Sequence, residues 1–187
     1  YHVRVNGRWR ETIDPYAICG GANSSVSAIC DRESLRFRTY PLPPMHSACD
    51  AVIYETSVRD FTVQSGIGVH HPGTFRGFVE ENPVTQAMQT GFSYLRSLGI
   101  THVQLMPVFD FGSVDEVYPQ MFYNWGYDPV HHRCLEGVYS TDILSYSARM
   151  REFGHLVEEC HKNGIRVNLD VVFNHVYDKE NFAFENI

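Results

Sequence analysis

Three residues near the end of the chain carry types that do chemistry: Asp170 in an alternating run, Ile165 to Phe173, and Asn174 and His175 just beyond it. An acid at the C-terminal end of a strand, followed by an amide and an imidazole, can bind and orient a polar substrate. The bland alternative is real, since a single Asp in a strand can be a satisfied core group and a His after a strand a surface loop residue. A second polar cluster, Tyr54-Glu55-Thr56-Ser57-Val58-Arg59-Asp60-Phe61, ends another apolar run, Ala51 to Val58. Two strand ends bearing charge are harder to dismiss than one.

Between these lies Tyr123-Asn124-Trp125-Gly126-Tyr127-Asp128-Pro129, inside a stretch from Pro107 to Tyr146 with no strand or helix pattern. That stretch is far longer than the roughly 2 to 6 residues of an ordinary βα connection, and such loops usually carry function. Trp125 and Tyr127 can alternatively be core aromatics beneath it. His70-His71 and His131-His132 are the only adjacent histidines among ten. Neighbours on an extended chain point apart, so solvated loop histidines are expected rather than a shared metal.

The elements that must hold these groups can be read from spacing. Ala51 to Val58, Thr101 to Met106 and Ile165 to Phe173 read as strands. Asn82-Pro83 opens a helix with Val84, Ala87, Met88, Leu95 and Leu98 on its buried stripe, stopped by Gly99. Ser147 is placed to cap a second helix, with Met150, Phe153, Leu156, Val157 and Cys160 buried and Gly164 at its end. The order β-α-β-α-β is the unit of a parallel sheet or a (β/α) barrel. In the third strand Val167, Leu169 and Val171 share one face and Asn168, Asp170 and Val172 the other. A doubly wound sheet wants both faces apolar, whereas a barrel interior near its active end tolerates polar side chains, which favours the barrel.

Before Pro41-Leu42-Pro43-Pro44, a stiff connector, the chain reads as short strands and turns, with Tyr1, Val3, Val5 and Trp9 on one side and a further strand from Val26 to Ile29. The expected division is residues 1–45, the end of an all-β sandwich module with its linker, and residues 46–187, the N-terminal part of a barrel.

A chain of 187 residues, 43% hydrophobic, can bury a core, so disorder is not expected. A net charge of -7 without clustered Lys and Arg argues against nucleic acid and anionic membranes. No apolar run reaches the ~20 residues a membrane helix needs. Five cysteines, with no CxxC, indicate neither a disulfide framework nor a zinc site and point to a reducing, cytoplasmic location. A secreted or surface location stays open, because the chain starts without Met and an export signal could have preceded it. Aromatics at 13% suit the mixed faces of a sugar, although aromatics more often fill cores.

Asp170-Val171-Val172-Phe173-Asn174-His175 resembles the first shared region of the α-amylase superfamily, and Tyr123 to Pro129 resembles the hallmark of its type I pullulanases. Ile53-Tyr54-Glu55 with Arg59-Asp60-Phe61, and Leu105-Met106-Pro107-Val108-Phe109-Asp110, resemble the family's first two barrel strands. Asp14-Pro15-Tyr16 resembles the junction after its starch-binding-like β-sandwich. The fold this implies is α/β, the first three β/α units of a TIM (β/α)8 barrel preceded by the tail of an all-β sandwich.

The implied activity is retaining hydrolysis of α-1,6-glucosidic branch linkages in pullulan, glycogen or limit dextrins. On that resemblance Asp170 is an active-site support carboxylate, assisted by Asn174, and His175 hydrogen-bonds the sugar next to the scissile bond. Tyr127 stacks on glucose, Asp128 takes its hydroxyls, and Trp125 and Asn124 complete the substrate-binding loop. The Asn binds calcium in some relatives, but calcium takes roughly 6 to 8 oxygens that this sequence does not assemble, so no cofactor is expected here.

The family's nucleophile, acid/base and stabiliser lie on later strands, beyond Ile187, so the chain alone is expected to be inactive. Its partners are then an α-glucan and the rest of the parent barrel. The alternatives are a non-catalytic glucan-binding segment, or another superfamily reaction, α-1,4 hydrolysis or branching.

Overall fold

The computed structural model describes residues 2–38, 40–81, 90–119, 123–180 and 182–186. Asn6 and Gly7, both at positive φ (50° and 79°), turn the chain between β1 (His2–Val5) and β2 (Arg8–Glu11). Positive φ at both central residues matches the twist of an antiparallel pair. The register Val5↔Arg8 and Arg4↔Trp9 corrects one expectation: Trp9 lies on the side of Arg4, not with Val3 and Val5. A two-residue turn makes paired rather than evenly spaced positions share a side. Val26 to Ile29 forms no strand either, contributing only a bridge between Gly20 and Ser27.

After Pro41–Pro44 comes a parallel sheet. Its strands β3 (Ile53–Thr56), β4 (His102–Leu105) and β5 (Arg166–Leu169) lie in the order β3-β4-β5. The register aligns Tyr54, Val103 and Val167 in one row and Thr56, Leu105 and Leu169 in another. Val103 and Leu105 are fully buried, and Tyr54, Val167 and Leu169 pack on the same core. The opposite face carries the row Glu55, Gln104 and Asn168, in which Gln104 Nε2 donates to Glu55 Oε2 at 2.6 Å. One apolar and one polar face is the alternation expected of β5, extended across the sheet. All three strands are shorter than the sequence runs, because ladder pairing ends once the chain turns into the loops beyond.

Four helices are described: α1 (Val58–Thr62), α2 (Phe75–Phe78), α3 (Gly91–Ser97) and α4 (Ala148–Lys162). Ser57 caps α1, its Oγ accepting from Asp60 N, and Thr74 caps α2 through Gly77 N. Phe75, Phe78, Phe92, Leu95, Leu156 and Cys160 bring these helices onto the apolar sheet face. Burying a side chain of this size is worth roughly 1.5–3 kcal/mol, so this face decides which side the helices take.

The expected start at Asn82-Pro83 and the positions Val84, Ala87 and Met88 lie outside the described residues. Leu98 is a correction: it comes after α3 and is exposed, while Phe92 and Leu95 point inward. Ser147 occupies the N-cap position of α4, as expected, but its side chain makes no capping bond; its Oγ accepts instead from Arg151 Nη1 at 2.5 Å. Among the described residues no helix is long and apolar enough to cross a membrane.

The N-terminal segment packs on the long loop after β4. Asn23 N donates to Glu116 and Asn23 Nδ2 to Asp115, Ser24 Oγ donates to Asp110, and His131 Nε2 donates to the Asp14 carbonyl at 2.9 Å. His131 is therefore buried rather than a solvated loop histidine. Its Nδ1 accepts from the backbone of Arg133 and Cys134, and burial holds its pKa below the ordinary imidazole value.

Candidate functional site

Parallel strands place their C-terminal ends on one edge, so the segments after β3, β4 and β5 must converge there. Asp170 leaves β5 with its N–H still bonded to the Leu105 carbonyl (2.9 Å), which anchors its backbone to the sheet. The long loop after β4 returns over that edge. Tyr127 Oη donates to Asp170 Oδ2 at 2.7 Å, and His175 Nε2 donates to the Tyr127 carbonyl at 2.6 Å. Tyr177 N to the Pro129 carbonyl (2.9 Å) and His132 Nε2 to the Val172 carbonyl (2.8 Å) continue the same seam. Two segments more than forty residues apart are thus joined, and both carry candidate residues.

Burial, and next its donation to Asp170, push the Tyr127 phenol up to about 12, so it stays a donor at neutral pH. Tyr127 is 37% exposed and Trp125 55%, which sets aside the reading of either as a core aromatic. In His175 the carbonyl can only accept, so Nε2 carries the proton and Nδ1 is the ring nitrogen left for a ligand.

The loop is built around Asn124. Its Nδ2 donates to Asp128 Oδ1 (2.6 Å) and to the Gly112 carbonyl (3.0 Å), and its Oδ1 accepts from Gly126 N (2.9 Å). Ser113 Oγ donates to Asp128 Oδ2 at 2.7 Å. Each Asp128 oxygen therefore already accepts one bond within the protein and has one remaining lone-pair direction for a hydroxyl. Gly126 sits at φ 88°, and a Cβ there would stand 2.9 Å from both Pro107 Cβ and its carbonyl oxygen. Only glycine fits that backbone and that approach. Asn174 is exposed and takes no part in this network.

A buried cluster behind the loop was not legible in the sequence. Asp110, Glu116 and Glu136 lie with carboxylate oxygens within 4.8 Å of one another, around the buried Arg149. Arg149 grips Glu116 with both terminal nitrogens, at 3.1 and 2.6 Å. Glu136 Oε1 and Oε2 accept from the N–H groups of Val138 and Phe111 at 2.9 and 3.1 Å. Three acids would suit a cation, but each oxygen of Glu116 and Glu136 already faces an N–H donor, and calcium asks for roughly 6 to 8 oxygens. The cluster does not fit a metal ion; Arg149 supplies its positive charge. Local sequence offered one hint, an acid set between two aromatic residues in Phe109-Asp110-Phe111.

Burial first, and then the charge of Glu116, push the Asp110 carboxyl well above the ordinary range; burial does the same for Glu136. The folded state then keeps protons that the unfolded chain releases near pH ~4. This contribution to stability is full below that pH and is lost as pH rises through the raised value. Asp110→Asn in the intact protein should flatten the fall in thermal midpoint above about pH 4. An unchanged pH slope would remove Asp110 from that role.

Residues 85–186 match the family model "Alpha amylase, catalytic domain". The chain is 39% identical over 181 residues to a pullulanase of Bacillus subtilis (strain 168), covering 96% of this chain and 25% of that protein. It superposes on a pullulanase from Anoxybacillus sp. LM18-11 complexed with maltotetraose with TM-score 0.91 and 41% identity, covering 99% of this chain and 27% of the other. A pullulanase from Paenibacillus barengoltzii in complex with maltohexaose and alpha-cyclodextrin gives TM-score 0.89 and 40% identity over 99% and 30%. The chain thus spans about a quarter to a third of the length of these relatives. A mixed α/β catalytic domain consistent with part of a TIM barrel, and homology to pullulanases over nearly its whole length, show that this chain belongs to the alpha-amylase family.

Proposed function

We propose that the protein containing this chain hydrolyses α-1,6-glucosidic branch linkages of an α-glucan with retention, and that this chain's share of the work is sugar binding. The observation that carries the reading is the Tyr127–Asp170 pair: an exposed aromatic ring bonded through its hydroxyl to a carboxylate at the C-terminal edge of a parallel sheet. The ring offers an apolar face to a pyranose, while Asp170 Oδ1 and the remaining lone pairs of Asp128 accept from its hydroxyls. His175 Nδ1 adds an acceptor from the far side of the Tyr127 peptide. Asn124 and Ser113 hold Asp128, and Trp125 extends the aromatic surface. Relatives complexed with maltotetraose and maltohexaose support an α-glucan as ligand.

A retaining glycosidase further needs two carboxyl groups about 5–5.5 Å apart flanking the bond, one as nucleophile and one as acid and then base. In this reading Asp170 and Asn174 support that pair without being either member. Residues 1–45 are the end of a β-sandwich module and residues 46–187 the first part of the barrel. The deciding assay is the intact protein on pullulan: release of maltotriose with retained anomeric configuration is expected. Cleavage confined to α-1,4 linkages, or binding without cleavage, would overturn the reading.

A further inference from the structure

Arg59 and Asp60, on the first turn of α1, reach across the strand ends to the substrate-binding loop. Tyr123 Oη donates to Asp60 Oδ2 and accepts from Trp125 Nε1. The direction of this chain is fixed by chemistry, because an indole N–H only donates, an ionised carboxylate only accepts, and a phenol does both. The other Asp60 oxygen accepts from Arg59 Nη1 at 3.0 Å, and the Arg59 guanidinium lies 5.1 Å from the Tyr123 ring centroid. Tyr123 and Trp125 meet edge to face, centroids 6.3 Å apart and planes at 82°.

The relay meets the indole through Nε1, at its edge. Trp125 remains more than half exposed, so burial does little to fix its rotamer, and the hydrogen bond at its edge takes over that task. An aromatic ring hydrogen-bonded at its rim and left more than half exposed suits a flat, partly apolar ligand.

We propose that Asp60, braced by Arg59 and acting through Tyr123, is a positioning residue that holds Trp125 as a second stacking platform for the α-glucan, two residues from Tyr127. This rests on the glucan-binding reading above. Tyr123→Phe removes only the hydroxyl, Asp60→Ala removes the acceptor, and Asp60→Asn keeps an acceptor oxygen in place.

In the intact protein, Tyr123→Phe and Asp60→Ala should each raise Kd for maltotetraose and KM for pullulan about fivefold, the scale of one hydrogen bond, with kcat changed less than about twofold. The double variant should be no worse than either single one, and Asp60→Asn should recover most of the loss. The change in tryptophan fluorescence on adding maltotetraose should shrink in Trp125→Phe. Unchanged affinity in Trp125→Ala, or additive losses in the Tyr123/Asp60 double variant, would overturn the proposal. If the unmodified protein does not bind maltotetraose at all, the glucan reading falls and the proposal with it; retained binding that Tyr123→Phe leaves unchanged overturns the relay alone.

Discussion

Arg149→Met should destabilise the intact protein by about 3–5 kcal/mol, the usual cost of stranding a buried charge. The Arg149 and Glu116 side chains are each 2% exposed. Besides its two bonds to Glu116, the guanidinium donates to the Leu135 carbonyl at 3.0 Å and the Ile143 carbonyl at 3.4 Å. Glu116 in turn accepts from Gly137 N (2.8 Å) and Asn23 N (3.0 Å). One ion pair thus ties α4, the long loop and the N-terminal segment together. The cluster is packed down to the backbone: a Cβ on Gly137 would run into the Glu116 carboxylate and come within 2.5 Å of Arg149 Nη2.

Without Arg149, Glu116 faces Asp110 and Glu136 with no cation among them. A second substitution, Glu116→Gln in the Arg149→Met background, should recover part of the loss, because a neutral amide costs less to leave buried than a carboxylate. Urea unfolding of the single and double variants measures this. A loss under about 1 kcal/mol in Arg149→Met would mean that the pair is worth no more than a surface salt bridge.

Tyr127→Ala should weaken glucan binding by ~1–3 kcal/mol, taking the scale of aromatic stacking on nucleic-acid bases. That corresponds to roughly 5- to 150-fold in Kd. Two contributions are lost together, the stacking face and the hydroxyl that donates to Asp170. Tyr127→Phe separates them, since it keeps the ring and removes only the bond, and should retain most of the affinity. Calorimetric titration with maltotetraose and steady-state kinetics on pullulan read both variants. Equal affinity in Tyr127→Ala and the unmodified protein would dismiss the stacking role.

How far the sequence reached differs between the sheet and the site. The three strand cores and the polar-apolar alternation of β5 were visible because side-chain direction in a strand has a period of two set by the backbone itself. The placing of Asp170 and His175 at a strand end came from the same local rule. Trp9 and His131 were misplaced because each depends on a partner that no local period encodes, the hairpin register and the Asp14 carbonyl; Ser147 stands at the expected cap position, but its hydroxyl is taken by the Arg151 side chain.

The sequence by itself determined the family, through the residues from Tyr123 to Pro129 and from Asp170 to His175, and nominated the residues of the proposed site. Those are properties of contiguous segments. Only the tertiary structure decided that Tyr127 meets Asp170, that Trp125 stands exposed on a relay from Asp60, and that Arg149 sits among three acids. The members of these sets are far apart in the chain, and they meet because parallel strands gather the loops on one edge while a folded-back loop buries charge behind it. Burial and loop closure, the terms that fix such meetings, belong to the whole fold rather than to any stretch of chain.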